Sequence, residues 1–327
     1  MSPGDEELAS AHRRLEALAA NVCRVLLGKE EPVRQAIVAL ASAGHLLLED
    51  VPGVGKTLLA RSLARSIRAS YCRIQCTPDL LPADVTGTSV YDPREMVFQF
   101  RPGPVFHQVV LVDEINRATP RTQAALLEAM EERQVTLDGE TRPLPDPFLV
   151  LATQNPVEME GTFPLPEAQL DRFLLRVKIG YPDAGTEVRM LEAQQEEKPG
   201  VRLEPVFDVK DLSEIQAAVR RVPVSRPIRE YVTSIVDATR RSEELELGAS
   251  PRASLALQRA AQARALFRPD DWFVTPQDVK EMALPVLGHR LLLGMRSRLA
   301  GATGETVIER ILRGTVVPVV PGPPGAP

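Results

Sequence analysis

Between His45 and Ile179 five short apolar runs, HLLLE, YCRIQC, VVLVDE, FLVLAT and LLRVKI, alternate with longer segments of helical periodicity. A strand buried on both faces reads as a continuous apolar run, and strands joined through helices pair in parallel. The pattern predicts an α/β fold whose core is a five-stranded parallel sheet between helices. Two helical stretches precede it, one over about Glu6–Leu27 and one following Pro32. No apolar run reaches the ~20 residues of a membrane span. The start, MSPGDEELAS, lacks the basic and apolar regions of a secretory leader, so a cytoplasmic protein is expected.

The first run opens into LLLEDVPGVGKT, Leu46 to Thr57. Gly53, Gly55, Lys56 and Thr57 hold the places of a phosphate-binding loop, G-x-x-x-x-G-K-[ST], but Asp50 stands where its first glycine is usual. Asp enters left-handed turns more readily than most residues, which would let it replace a glycine. The stretch Pro52, Gly53, Val54, Gly55, Lys56, Thr57 and Leu58 is therefore a candidate nucleotide cradle. Its backbone N–H groups would crowd phosphate oxygens, Lys56 would supply a compact cation, and the Thr57 hydroxyl would ligate Mg²⁺. Leu59, Leu63 and Ile67 recur at helical spacing beyond it, placing the phosphates at a positive helix end.

The run VVLVDE delivers Asp113 and Glu114 to the carboxyl edge of its strand, where open α/β sheets bind ligands. Asp113 is suited to hold Mg²⁺ through water, and Glu114 to polarise the water that attacks a γ-phosphate. FLVLATQNP ends in Asn155, which either orients that water or starts a turn before Pro156. Arg172, in PLPEAQLDRF, precedes the last strand and reads as lying at the ligand edge, although surface arginines are usually only solvated. Arg117 and Arg121 admit the same solvated reading, on a helix beside the Asp-Glu strand.

Two stretches interrupt the alternation, about 84–104 and 133–147, each with strand-like pieces flanking a turn. Past Tyr181 every periodic segment is amphipathic and helical, so residues 1–183 are expected to form the nucleotide-binding core and 184–313 an all-helical lid. Residues 314–327, rich in Pro and Gly, are expected to be disordered. In GASPRASLALQ, Ser250 reads as the N-cap, Pro251 as N1 and Arg252 as N2. A cation in a first helical turn opposes the helix dipole, and such local violations gather at functional sites.

The formal charge of −5, from 39 basic and 44 acidic residues, disfavours bare nucleic acid as the main partner. Cys23, Cys72 and Cys76 are too few for a disulfide framework and read as structural thiols, with Cys72 and Cys76 on one strand face. His12, His45, His107 and His289 are scattered and form no metal-ligand pair.

The order of phosphate loop, Asp-Glu strand, strand-end Asn, late Arg and helical-domain Arg resembles that of an AAA+ ATPase. The strings LVDEINRATPRTQAALLEAMEERQVT and ATQNPVEMEGTFPLPEAQLDRF resemble the MoxR family within it, a helix-2-insert clade related to magnesium chelatase subunits and the MCM helicases. The resemblance covers roughly Leu26 to Leu293, and family members often carry EDVPG at the loop, as here. It implies that Lys56 and Thr57 belong to Walker A, Asp113 and Glu114 to Walker B, Asn155 to sensor 1, Arg172 to the arginine finger and Arg252 to sensor 2. It further implies ATP hydrolysis with Mg²⁺, a homo-oligomeric ring, usually a hexamer, and a lid that closes over the nucleotide through Arg252. A chaperone role, often with a von Willebrand A domain partner, follows from the same resemblance. An MCM-like nucleic-acid translocase is the alternative, disfavoured by the acidic balance; a low-turnover nucleotide-gated scaffold is another, disfavoured by the presence of both Glu114 and Arg172.

Overall fold

The structure, a computed structural model, describes residues 3–155, 161–195, 203–269 and 272–319. Helices α1 (Pro3–Cys23) and α2 (Glu30–Ala41) lead to β1 (Leu46–Glu49), the candidate phosphate-binding loop and α3 (Lys56–Ser66). Then come β2 (Tyr71–Gln75), α4 (Pro82–Thr86), the hairpin of β3 (Gly87–Asp92) and β4 (Val97–Pro102), β5 (Val109–Asp113) and α5 (Pro120–Glu132). A second hairpin, β6 (Gln134–Leu137) with β7 (Glu140–Pro143), precedes β8 (Leu149–Gln154), α6 (Glu167–Leu170) and β9 (Leu175–Val177). The remainder is α7 (Ala184–Gln195), α8 (Val209–Arg221), α9 (Arg226–Arg241), β10 (Leu245–Leu247), α10 (Pro251–Ala265), α11 (Pro276–Leu287), β11 (Leu292–Leu293), α12 (Met295–Leu299) and α13 (Gly304–Gly314).

The five apolar runs pair in parallel in the order β2-β5-β8-β1-β9. Side chains alternate across the sheet as the pleat requires. Leu46, Leu48, Val109, Leu111 and Leu151 join a core with Ile37 of α2 and Leu59 and Leu63 of α3. Leu47, Val110, Val112, Val150 and Ala152 face the other way, onto Leu126, Leu127 and Met130 of α5. Helices α3 and α5 thus cover opposite faces. Each fully buried leucine contributes about 1.5–3 kcal/mol, and truncating Leu63 to Ala would cost about 2–5 kcal/mol.

Several boundaries differ from expectation. The first helix ends at Cys23, and α2 begins at Glu30, with Pro32 inside its first turn, where a missing N–H removes no helical bond. The segment after β9 is not wholly helical: β10 and β11 pair antiparallel as a short ribbon. Strands of two and three residues are too short to show a period, so their leucines read as helix flank. Of the tail expected to be disordered, residues 320–327 lie outside the described residues. Cys72 is half-buried, and Cys76 lies just past β2, buried, its thiol pushed up to about 12 by burial.

Candidate nucleotide site

The loop between β1 and α3 turns on two glycines. Gly53 has φ +86° and open space around its Cα. Gly55, the residue before α3, has φ +99°, and a Cβ there would meet Leu26 Cδ1 at 2.9 Å. Gly53 is thus required by backbone conformation alone, Gly55 by conformation and space. Lys56 is half-buried and its Nζ donates to the Asp50 carbonyl across the loop at 2.6 Å. Burial lowers the Lys56 pKa, opposed by Asp113, Asp50 and Glu114, whose charges reach it. Thr57 and Leu58 are exposed in the first turn of α3.

Asp50 departs from its expected part. It is not among the residues of positive φ, so no left-handed turn is formed there. Its carboxylate accepts instead from Val51 N at 2.8 Å and from Gly180 N, just past β9, at 2.6 Å. A charged acceptor binding two backbone N–H groups pins the loop to the neighbouring strand. Beside the loop lies a cavity of about 520 Å³ lined by Val25, Leu26 and Leu27 on one side and Tyr181, Met190 and Leu191 on the other. That size and apolar lining suit a small organic ligand such as a nucleotide base.

Asp113 ends β5 and Glu114 follows it with φ +56°, an uncommon conformation for a non-glycine residue that gathers at functional sites. Thr153 of β8 joins the two: its hydroxyl donates to Asp113 Oδ1 at 2.5 Å and accepts from Glu114 N at 2.9 Å. Arg73 of β2 pairs with Asp113 at 2.6 Å, while Gln75 and Arg117 both donate to Glu114 Oε2, at 3.1 and 3.2 Å. Asn155 is buried immediately beyond β8, and residues 156–160, where its alternative turn would lie, fall outside the described residues. Because β1, β5 and β8 are parallel, the loop, Asp113, Glu114 and Asn155 share the carboxyl edge of the sheet. Arg117 is exposed but paired with Glu114; Arg121 lies on the exposed face of α5.

Arg172 is not at that edge. It precedes β9, which runs parallel to β1, and Leu174 N bonds to His45 O at 2.8 Å, alongside the start of β1. The expectation of a ligand-edge arginine is corrected: a residue entering a parallel strand lies at the amino edge, a full strand length from the phosphate loop. Four residues of β1 separate the two edges, roughly 13 Å at ~3.3 Å per residue. Arg252 is at N2 of α10 as expected, but it too turns to this edge. It and Arg172 both pair with Glu131 near the end of α5, Arg172 through Nε at 3.0 Å. Glu131 lies beside the entry to β1, since its neighbour Met130 bonds to His45 and Arg133 bonds to Ala43, so its pairing places Arg252 near the edge opposite the loop. Ser250 donates to Asp171 at 3.0 Å and makes no cap bond of its own. Buried Arg290 pairs with the same Asp171 at 2.6 Å.

The geometry accords with the comparisons. A model of the ATPase family associated with various cellular activities (AAA) matches residues 45–175, and a model of the AAA lid domain matches 237–311. YeaC of Bacillus subtilis (strain 168), an uncharacterized protein, is 48% identical over 308 residues, 94% of this chain and 96% of its own length. Chaperone MoxR1 of Mycobacterium tuberculosis is 41% identical over 326 residues, 97% of this chain and 86% of its own length. The chain belongs to the MoxR family of AAA+ ATPases. A crystal structure of a Cytophaga hutchinsonii protein, 36% identical, superposes with a TM-score of 0.89 over 96% of this chain and 98% of its own. In this MoxR-family chain, sequence reading singled out the loop and the two acids but not Thr153, Arg73, Gln75 and Glu131, which the fold brings against those acids or against Arg172. Their significance rests on strand order and on helix-to-loop packing, which spacing along the chain does not encode.

Proposed function

We propose that this protein hydrolyses ATP as a homo-oligomeric ring with one nucleotide at each subunit junction, and uses the cycle to remodel or mature partner proteins. The observation that carries this reading is the division of the site residues between two opposite edges of one sheet. Lys56, Thr57, Asp113, Glu114 and Asn155 share the carboxyl edge, and Arg172 and Arg252 share the amino edge. An arginine that stabilises charge on the γ-phosphate must touch it. Arg172 lies at the edge opposite its own loop, which supports the reading that the phosphate it serves belongs to a second copy. Arg252 joins it there through Glu131, so the nucleotide over which the lid closes through Arg252 is, in this reading, the one at the junction with a second copy.

In this reading the loop N–H groups and Lys56 hold the phosphates, and the apolar cavity takes the base. Glu114, released from Gln75 and Arg117, accepts a proton from the attacking water, which Asn155 helps orient. Mg²⁺ fits the donor set present: Thr57 offers a hydroxyl and Asp113 a carboxylate, both hard oxygen donors. When bound, the ion would neutralise phosphate charge. The protein-remodelling role rests on likeness to a relative named as a chaperone, and a von Willebrand A domain protein is the expected partner.

The test is subunit mixing. Lys56→Ala should abolish nucleotide binding, and Glu114→Gln should bind ATP with turnover reduced about a hundredfold or more. Arg172→Ala subunits, inactive alone, should regain ATPase activity when mixed with Glu114→Gln subunits, because one junction then unites an intact Glu114 with an intact Arg172. No recovery in demonstrably mixed rings would refute a contribution in trans.

A further inference from the structure

Glu131 occupies a position that none of the assigned roles uses. Its carboxylate is about one-third exposed and stands between Arg172 of the core and Arg252 of the lid, one guanidinium on each oxygen. We propose that Glu131 is the positioning residue of the junction, holding Arg172 and Arg252 as a single cationic unit presented to the phosphate of a neighbouring subunit's nucleotide. This rests on the reading that the two arginines act in trans.

Two guanidinium groups so close would repel and splay if nothing lay between them. Arg252 has the further disadvantage of sitting in the first turn of α10, where the helix dipole disfavours a cation. A shared carboxylate answers both. Arg172 approaches it by Nε, the nitrogen at the base of its fork, and a guanidinium carries five donors, so a phosphate can be met without leaving Glu131. The surroundings fit an anion acceptor. Asp171 is already taken by buried Arg290 and by Ser250, so three arginines face two carboxylates and one positive charge is left over. The arrangement is also anchored: Met130, the preceding residue, accepts from His45 Nε2 at 3.1 Å, and the Arg133 guanidinium, two residues on, donates to Ala43 O at 2.6 Å. An ordinary surface ion pair has two mobile partners and little effect. Here the carboxylate ends a packed helix and receives one cation from each part of the chain.

The experiment measures steady-state ATPase activity of Glu131→Gln rings, alone and mixed with Glu114→Gln subunits. The expected result is a kcat reduced about 10- to 100-fold, the scale of a misplaced catalytic group, with KM for ATP within about twofold. Mixing should restore activity, placing Glu131 on the arginine side of the junction, whereas a merely structural lesion would travel with the subunit and resist rescue. Wild-type kcat overturns the proposal. So does a loss that mixing fails to restore while Arg172→Ala is rescued in the same assay; if neither is rescued, the trans reading itself falls and this inference with it. Should Glu131→Gln not assemble, Glu131→Asp keeps the charge and shortens the reach. It should lower kcat at unchanged KM, and a wild-type kcat there overturns the proposal equally.

Discussion

Lowering the pH below about 6.5 should destabilise this protein, and buried His45 is one reason. The imidazole is fully buried at the entry to β1, with Phe148 edge-on at 5.5 Å. Val150 N donates to Nδ1 at 3.0 Å, which requires that nitrogen to be unprotonated, and Nε2–H then donates to Met130 O. Protonating Nδ1 would set two N–H groups against each other in the core. Burial first, and the Arg133 guanidinium second, push the pKa down from 6.5 to about 4. The folded state thus resists a proton that the unfolded state accepts below about pH 6.5, so the stability tied to this group is intact above 6.5 and is lost as pH falls towards 4. At about 1.4 kcal/mol per unit, a shift of this size amounts to roughly 3 kcal/mol. His289, buried beside Arg290, shifts in the same direction. Urea unfolding between pH 7.5 and 4.5 should show stability falling with pH throughout the lower part of that range. His45→Gln, which can still accept and donate, should be less stable at pH 7.5 but should lose distinctly less on acidification. A variant that loses stability in parallel with the parent chain would refute the assignment.

Gly55→Ala should abolish binding of a fluorescent ATP analogue, since it combines φ +99° with a clash against Leu26, whereas Gly53→Ala, with open space, should weaken binding by the ~1–2 kcal/mol of a left-handed alanine. Asp50→Gly, which restores the commoner loop sequence, should weaken ATP binding about 10- to 100-fold by freeing the loop from Gly180, since a hydrogen bond to a charged group is worth about 1.5–3 kcal/mol; tighter binding in the same assay would contradict this. Phe98→Ser should leave ATPase activity and melting temperature unchanged while weakening partner capture by Glu114→Gln rings in a pull-down, because Phe98 is 73% exposed at the first hairpin. Phe100→Ser should instead lower the melting temperature, because that ring lies under the Arg142 guanidinium at 4.2 Å and against Phe106, tying the two hairpins together.

What was legible along the chain was whatever depends on local period and spacing. The three central strands announced themselves because they are buried on both faces, the edge strands β2 and β9 through shorter apolar runs, and the candidate cradle through glycines at fixed intervals. Arg172 shows where such reading stops. Its residue type and its place before the last strand were visible, but the edge it occupies depends on strand direction: in a parallel sheet, residues that leave a strand and residues that enter one lie at opposite ends. Asp50 shows a second limit. A short acid at a loop's first position can serve through its backbone conformation or through its carboxylate, and only the approach of Gly180 from another strand decides between them. The β10–β11 ribbon is a third, since its pairing joins segments on either side of α10 and α11.

Asp171 and Arg172 are neighbours, and each reaches the later part of the chain by a different route. Asp171 binds Arg290 beyond α11 and Ser250 at the start of α10, while Arg172 meets Arg252 through Glu131. Arg290 also donates to the carbonyls of Phe173 and Leu174, so the entry to β9 is clasped on both sides of Arg172. A lid held by these bonds cannot rotate against the core without straining the segment that carries Arg172 or breaking its links. Buried charged bonds are costly to leave unpaired, which favours moving the cluster as a unit over dissolving it. In a ring that works as proposed, a lid displaced by the nucleotide state of one junction would therefore shift both arginines offered to the next. That provides a physical route by which hydrolysis at one junction can set the geometry of its neighbour without any residue reaching both nucleotides.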